Sequence, residues 1–137
     1  DGAEVVSIGA KFEEERKALS AREAYDYRAA LGLSESGLDA LIRAAYRLLD
    51  LVTFFTATGE REVRAWTVRR GTKAPQAAGK VHTDMEKGFI RAEVISFLDL
   101  DRSGSFAVAR ERGLVRLEGR DYTVQDGDII HFRFSPV

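Results

Sequence analysis

The hydrophobic pattern changes its period near Leu51, and this change constrains the fold more than any other feature of the sequence. Before it, apolar residues in Leu38–Leu49 recur three and four positions apart, which predicts an amphipathic helix beginning after Ser36. After it, β-branched and aromatic residues recur in short runs bounded by turn residues, as strands require. The predicted strands are Leu51–Ala57, Val63–Val68, Phe89–Phe97, Val115–Leu117, Tyr122–Val124 and Ile129–Phe134, with a tight turn at Thr58-Gly59-Glu60 after the first. The second part of the chain is therefore predicted to form a sheet.

Helical signals lie on both sides of that change. Ser20 and Glu23 have the spacing of a capping box, and Gly32 suits the left-handed end of the same helix. A short β-branched run, Val5–Ile8, precedes them and predicts a buried strand. Further helices are predicted near Pro75, after the Thr83–Glu86 capping pattern, and at Ser105–Arg112. Together these elements predict a mixed α+β fold with helices packed on one face of a curved sheet.

The composition excludes several classes of protein. The 137 residues carry a formal net charge of −1, so the chain is neither histone-like nor an acidic tail. Charged residues interrupt every long apolar stretch, which excludes a membrane-spanning helix, and the lack of cysteine excludes disulfides and thiolate metal sites. The sequence opens on Asp1 without an apolar signal segment, so we expect it to be a piece of a longer protein.

Positive charge is concentrated in residues 61–91, which hold eight basic against three acidic side chains, a local net charge of +5. Basic residues displayed from the ends of strands and helices are what contacts to nucleic-acid phosphate require. A solvated charged face is the alternative interpretation. Trp66 lies within this segment and could stack on a base, but an indole half-buried in the core is the simpler interpretation. Charge alone leaves both possibilities open.

Several short motifs suggest chemistry that their details do not support. Ala74–Val81 has the Gly-Lys of a phosphate-binding loop but lacks the Ser or Thr that holds Mg²⁺. Asp99–Gly104 begins like a calcium loop, yet the position of its strongest ligand falls on Arg110, so a solvated turn that leads into a helix is predicted there. His82 is predicted to hydrogen-bond its own turn, and His131 to face the surface. The sequence therefore predicts no catalytic residue and no metal site.

Longer stretches of the same region carry a family resemblance. They are Val63–Val68, Gly71–Asp84, Glu86–Glu93 and Gln125–Asp128, and they closely resemble the C-terminal region of the YchF-type proteins. These are the Obg-like ATPases, a branch of the P-loop GTPase superfamily related to translation factors. The resemblance implies that residues 51–134 form a TGS domain, a ubiquitin-like module with the β-grasp fold.

The resemblance also implies what residues 1–50 are. They would be the C-terminal end of a P-loop nucleotide-binding domain, a remnant of one strand (Val5–Ile8) and helices. Gly9, Ala10 and Lys11 would occupy the place of the family's base-contacting Ser-Ala-Lys motif, where Gly9 replaces the serine and leaves only backbone contacts. Phosphoryl transfer requires a phosphate cradle, a Mg²⁺ ligand set and a positioned water, and this sequence has none of them. We therefore expect this chain alone to be inactive and to hold no cofactor, whereas the intact parent would bind and hydrolyse ATP or GTP with Mg²⁺.

The partners that the resemblance implies are the ribosome or its RNA and the protein's own nucleotide-binding domain, in the cytoplasm and away from membranes. The candidate RNA contacts are Arg64, Arg69, Arg70, Lys73, Lys80, Lys87 and Arg91. Three alternatives stay open. The region could be a regulatory lid on its own nucleotide domain, a ubiquitin-like module that binds proteins through a sheet edge, or a domain that binds a small regulatory ligand. The first two would involve no RNA contact.

Overall fold

The computed structural model describes residues 3–58 and 62–136. The chain forms two compact units, which we call the N-terminal unit (Asp1–Leu49) and the C-terminal unit (Asp50–Val137). The turn predicted at Thr58-Gly59-Glu60 extends into residues 59–61, which lie outside the described ranges.

The N-terminal unit consists of helices that begin and end where local signals place them. They are α1 (Ala10–Glu15), a 3₁₀ turn (Arg16–Ala18), α2 (Ala21–Ala30) and α3 (Gly37–Leu48). The predicted capping box of α2 is confirmed, since the Glu23 N–H donates to Ser20 Oγ at 3.3 Å and the Ser20 N–H donates to Glu23 Oε2 at 2.8 Å. Gly32 has a φ of +70° and ends this helical segment in the left-handed conformation, as expected.

The strand predicted at Val5–Ile8 is wrong, because these residues form no regular secondary structure. A strand exists only through hydrogen bonds to a neighbouring strand. The described residues of the N-terminal unit contain no strand at all, so this β-branched run has nothing to pair with. Val5 is 86% exposed, which is also the opposite of the buried position that its composition suggested.

The helix α3 is confirmed, with Ser36 as its N-cap: Ser36 Oγ accepts from the Asp39 N–H at 3.1 Å. Its apolar stripe is only partly covered. The exposed members of this stripe, between 45% and 83% accessible, are Leu38, Leu41, Ile42, Leu48 and Leu49. The buried residues among those described in this unit are Phe12, Ser36 and Ala44. The N-terminal unit therefore has well-capped helices but very little core.

The C-terminal unit is built on a five-stranded sheet with the order β2-β1-β5-β3-β4. Its elements are β1 (Leu51–Thr58), β2 (Glu62–Arg69), α4 (Ala74–Val81), α5 (Thr83–Lys87), β3 (Phe89–Ser96), α6 (Phe97–Ser103), α7 (Phe106–Glu111), β4 (Arg116–Glu118) and β5 (Asp128–Phe134). The central pair β1–β5 is parallel, and the pairs β1–β2, β3–β5 and β3–β4 are antiparallel. The predicted α+β class is therefore observed, with the strands in an order that periodicity alone could not give.

Helices cover both faces of this sheet, so the prediction that they pack on one face is wrong. The main core joins one sheet face to α4, and its fully buried members include Phe54, Val94 and Ile130. A smaller core on the opposite face joins Ile95 and Ile129 to helices α6 and α7. Successive strand residues alternate between faces, so Val94 and Ile95 each need a separate cover. The helix α6, which supplies part of the second cover, was not among the predicted helices.

Three local predictions also need correction. Tyr122–Val124 is not a strand, because its only pairing is an isolated bridge from Thr123 to Lys73. The helical turn after residue 82 exists, but its cap is His82 rather than Thr83: the Asp84 N–H donates to His82 Nδ1 at 3.2 Å. The segment predicted as a turn at Asp99–Gly104 lies largely within α6, which Ser96 caps through the Asp99 N–H at 3.1 Å. In each case the local sequence pattern is real, but it belongs to a different structural element from the one predicted.

Candidate nucleic-acid interface

Strand directions divide the seven candidate basic residues between two ends of the sheet. Strand β1 is parallel to β5, and β2 and β3 are each antiparallel to one of these, so β2 and β3 run in the same direction. Arg64 and Arg91 are the third residues of β2 and β3, and both therefore lie near the end where these strands begin. Arg69 is the last residue of β2 and lies at the opposite end, followed by Arg70 and Lys73.

We call the first group the basic end; its members are Arg64, Lys80, Lys87 and Arg91. Lys87 closes α5 just before β3. Lys80 belongs here because Val81, the next residue, lines a cavity of about 230 Å³ together with Arg64. Side chains alternate between faces along a strand. Arg64 therefore shares the sheet face of Trp66, which packs against the main core, whereas Arg91, next to the buried Ala92 of that core, lies on the opposite face. The basic end thus displays cations from regular elements on both faces of the sheet rather than from a flexible charged tail.

Most cations of the basic end have no partner among the residues that the structure describes. Arg64 is paired with Glu62, its Nη2 lying 2.7 Å from Glu62 Oε1. Lys80, Lys87 and Arg91 are exposed, and their side chains make no hydrogen bond or ion pair with any residue in the ranges 3–58 and 62–136. Their charge is therefore available to a binding partner.

The opposite end uses two of its three cations internally. Arg70 Nε lies 3.0 Å from Asp50 Oδ1. Lys73 Nζ donates to the Asp121 carbonyl and to Thr123 Oγ1, both at 2.8 Å, and so ties the start of α4 to the loop before β5. Arg69 is exposed and has no side-chain partner among the described residues. The charge of this segment in the sequence therefore overestimates the number of cations that this end can present to an external phosphate.

Trp66 is part of the core, as the simpler interpretation predicted. It is half-buried, packs against the main core and donates its indole Nε1–H to Thr56 Oγ1 at 2.9 Å. This hydrogen bond fixes the ring between β1 and β2 and satisfies its one polar atom. A role in stacking on a base is not what this position favours.

Two further arginines lie near the basic end but come from distant parts of the sequence. Arg120 donates to the Phe89 carbonyl at 3.1 Å, with its guanidinium 5.8 Å from the centre of the Phe89 ring. Arg133 is the strand partner of Arg91 across β3 and β5. Neither was among the sequence candidates, because both lie outside the charged segment 61–91. Only the antiparallel pairing of β3 with the last strand could have indicated Arg133.

The predicted base-contacting loop lies at the start of α1. Gly9 is the N-cap of this helix without a side-chain cap, and Lys11 is largely exposed, with Nζ 3.7 Å from Glu15 Oε1. The N–H groups of Ala10 and Lys11 belong to the first helical turn, where N–H groups have no partner within the helix. The loop therefore offers backbone donors and no side-chain hydroxyl, in agreement with the residue types.

The two histidines have different surroundings. His82 accepts a hydrogen bond within its own turn, which confirms the prediction for it. His131 is half-buried rather than surface-facing, and burial, reinforced by the charge of Arg133, lowers its pKa. Among the described residues no group of three or more His, Cys, Asp or Glu could hold a metal ion. No helix in the same ranges is long and apolar enough to cross a membrane.

Comparisons with known proteins agree with this architecture. A family model named YchF-GTPase_C, described as a protein of unknown function (DUF933), matches residues 51–135. The chain belongs to the YchF family. It is similar to the ribosome-binding ATPase YchF of Bacillus subtilis, with 54% identity over 98% of this chain and 37% of that protein. The Obg-like ATPase 1 of Gallus gallus is 48% identical over 98% of this chain and 33% of its own length.

The solved structure of the Schizosaccharomyces pombe YchF GTPase has the same fold. Its TM-score is 0.84 at 37% identity, covering 96% of this chain and 34% of that one. The chain thus spans about a third of the length of the YchF relatives that it matches. What is established is membership of the family and a match to the C-terminal part of its members.

Proposed function

We propose that the C-terminal unit is a TGS domain of β-grasp form that docks a YchF-family protein on ribosomal RNA in the cytoplasm. The sheet order β2-β1-β5-β3-β4, with first and last strands parallel at its centre, supports the β-grasp interpretation. The name of the Bacillus subtilis relative states that it binds the ribosome, and the chain covers the C-terminal third of that relative. Ribosome association is therefore the natural setting for an exposed basic surface.

The observation that carries the proposal is the set of unpaired cations at the basic end: Lys80, Lys87 and Arg91. Each is held on or directly beside a regular element, which fixes its position without using its charge. Cations in such positions neutralise phosphates and release counterions on binding, and this release is the main sequence-independent source of affinity for RNA. The arrangement gives docking without base-specific readout.

We assign the N-terminal unit to the end of a larger nucleotide-binding domain. The exposed apolar stripe of α3 supports this assignment, because a stripe of that width on a soluble helix needs a partner to cover it. Backbone N–H groups of Gly9, Ala10 and Lys11 would lie beside the base of ATP or GTP. The phosphates and Mg²⁺ would be held by other parts of the intact protein, which would carry out the hydrolysis.

A salt titration of binding to ribosomes tests the docking role. The variant combines Lys80→Gln, Lys87→Gln and Arg91→Gln, and its matched control combines Lys17→Gln, Arg102→Gln and Arg112→Gln, three exposed cations that are not candidate RNA contacts. Each lost phosphate contact should reduce the slope of log K against log salt by about 0.7, so the variant should lose about two units of slope. The control should keep the slope of the unmodified chain.

Equal slopes for the variant and the control would contradict docking through the basic end. Salt-insensitive binding would instead favour a protein partner on strand β2, which is an eight-residue edge strand with one side unpaired. Loss of nucleotide hydrolysis without loss of ribosome binding, on deleting the C-terminal unit from the intact protein, would favour a regulatory lid.

A further inference from the structure

A cavity of about 690 Å³ lies on the sheet face opposite the main core, where helices α6 and α7 cover only part of the strands. Its polar wall consists of Glu93, Arg110, His131 and Arg133, and its apolar wall includes Leu100, Phe106 and Ile129. We call it the arginine pocket. None of these polar residues belongs to the basic end, and the docking role makes no use of them.

Glu93 organises the polar wall of this pocket. Its carboxylate is 11% exposed and accepts from Arg110 Nη2 at 2.8 Å and from Arg133 Nε at 3.0 Å. Burial by itself would raise the pKa of Glu93, but the hydrogen bond from Arg133 and the charges of both arginines outweigh burial and lower the pKa. The ionised carboxylate therefore holds two guanidinium groups from different elements, β5 and α7, in fixed positions.

One carboxylate does not neutralise two arginines. Each guanidinium gives Glu93 a single close hydrogen bond, and its other N–H donors have no partner among the described residues. Arg110 and Arg133 are 64% and 48% exposed, so these donors are accessible from the cavity. Arg91 adds a further positive charge beside Arg133, since the two residues are paired across β3 and β5. The pocket therefore attracts an anion, and the arginine forks match phosphate or carboxylate oxygens.

An apolar groove continues from the same pocket. A second cavity, of about 370 Å³, shares Leu100, Gly104 and Ile129 with the arginine pocket, so the two form one cleft. The groove adds the side chains of Phe55, Val63 and Phe97, of which Val63 and Phe97 are more than half exposed. Asp101 lines only the groove, at the end away from the arginines. The cleft is thus cationic at one end and apolar along the other.

We propose that this cleft binds a small amphipathic anion, with a phosphate or carboxylate head on the N–H donors of Arg110 and Arg133 that do not contact Glu93, and an apolar body against Leu100, Phe106 and Ile129. A volume of several hundred Å³, apolar walls and a few convergent polar groups are the usual properties of a small-molecule site. Glu93 acts as a positioning residue, since it orients the arginines and would itself repel the anion.

Phenyl phosphate is the probe, because it joins a dianionic head to an apolar ring. The sequence has only two histidines, so the ¹H NMR signals of His131 and His82 can be followed separately through a pH titration of the full chain. His131 faces Glu93 on β3, Arg110 on α7 and Arg133 on its own strand. An anion bound there favours the protonated imidazole, so the pKa of His131 should rise by about one unit, while the His82 signals should not respond to the probe.

Variants and partial probes separate the proposed site from adventitious binding. Arg110→Gln should weaken phenyl phosphate binding roughly tenfold or more, whereas Arg112→Gln, two residues further along the chain, should leave it unchanged. Ala107→Trp fills the pocket while Glu93, Arg110 and Arg133 keep their side chains, and it should abolish binding, which covers the case that Arg110→Gln unfolds. Benzoate tests a carboxylate in place of the phosphate head. Two partial probes test the parts separately: inorganic phosphate has only the anionic head, and benzyl alcohol has only the apolar body.

Saturable binding of phenyl phosphate or benzoate, with both partial probes at least roughly tenfold weaker, is the expected result. No shift of His131 with either probe would overturn the proposal. Equal losses of phenyl phosphate affinity in the Arg110 and Arg112 variants would also overturn it. So would an affinity for inorganic phosphate equal to that for phenyl phosphate, because this would indicate a nonspecific anion effect. RNA docking through the basic end would be unaffected by any of these outcomes.

Discussion

The two units of this chain differ in how far their large apolar side chains are buried. In the C-terminal unit Phe54, Val94 and Ile95 are completely buried, whereas in α3 of the N-terminal unit Leu41 is 45% and Leu48 83% exposed. Both units nevertheless have regular helices with correct caps. Local signals are therefore sufficient to place helices, but only the C-terminal unit has the long-range packing that provides most of the stability of a domain.

Polar contacts take the place of a core in the N-terminal unit. The Tyr27 hydroxyl donates to Glu15 Oε2 at 2.6 Å, and the Gly37 N–H donates to Glu13 Oε1 at 2.7 Å, which joins the start of α3 to α1. Each of these part-buried hydrogen bonds contributes about 1 kcal/mol, because the same groups bond to water in the unfolded chain. The N-terminal unit should accordingly be the less stable of the two.

Hydrogen exchange on the whole chain should show the largest effect. Amides of β3 and β5, in the middle of the sheet, should exchange roughly a thousandfold more slowly than those of α3, because they open only with the entire C-terminal unit. Mass spectrometry after digestion gives both values in one experiment. Equal protection of the two units would contradict the contrast.

Truncation of one apolar side chain in each unit should give the next largest difference. Phe54→Ala removes a fully buried ring and should lower the free energy of unfolding by about 3–5 kcal/mol. Leu41→Ala in the exposed stripe should change it by only about 0.5 kcal/mol. Urea denaturation followed by Trp66 fluorescence reports the C-terminal unit, because this is the only tryptophan. A large loss from Leu41→Ala would show that its stripe is covered in solution.

Two N-caps with the same hydrogen-bond geometry, one in each unit, allow a smaller effect on stability to be compared. Ser36 and Ser96 each accept from the N–H of an aspartate three residues on, at 3.1 Å, and each donates to that aspartate's Oδ2 at 2.7 Å. Replacing either serine by alanine should cost about 1 kcal/mol locally. Ser96→Ala should move the Trp66 transition, whereas Ser36→Ala should reduce helical circular dichroism and leave that transition in place.

The pH dependence of stability should also differ between the units. The lowered pKa of Glu93 means that its contribution to stability is present above its unfolded value of about 4.5 and is lost as the pH falls through the folded value. The C-terminal unit should therefore weaken below about pH 4.5, and Glu93→Gln should flatten that part of the profile. An unchanged profile in this variant would mean that the arginine pair does not hold the carboxylate in solution.

What the sequence predicted correctly depends on residues close together in the chain. The cap at Ser20, the helix that begins at Ala74 beside Pro75 and the strands β1 and β2 all derive from signals within a few residues. Val5–Ile8 and Tyr122–Val124 have strand composition too, but a strand needs a partner that composition does not supply. Composition therefore predicts that a segment can form a strand, but whether it does depends on a neighbouring strand with which it can pair.

The candidate interface shows the same limit. The basic segment was visible in the sequence, but its division into an available end and an internally used end depends on strand direction and on contacts such as Lys73 with Asp121. Arg110 and Arg133 lie 17 and 40 residues from Glu93 along the chain, so no local pattern predicts that they meet. The roles of the seven candidate residues in RNA binding stay predictions.

The position of β5 has a consequence for how the sheet is completed during synthesis. β1 pairs with β2, and β3 pairs with β4, but among the described residues no strand other than β5 joins these two strand pairs. As the ribosome makes the chain, both strand pairs emerge before β5, each with an unpaired backbone edge that can pair with a neighbouring nascent chain. The sheet becomes continuous only when residues 128–134 insert between β1 and β3, so a chain that stops before Asp128 would leave the two strand pairs joined through the packing of α4 and without a shared sheet.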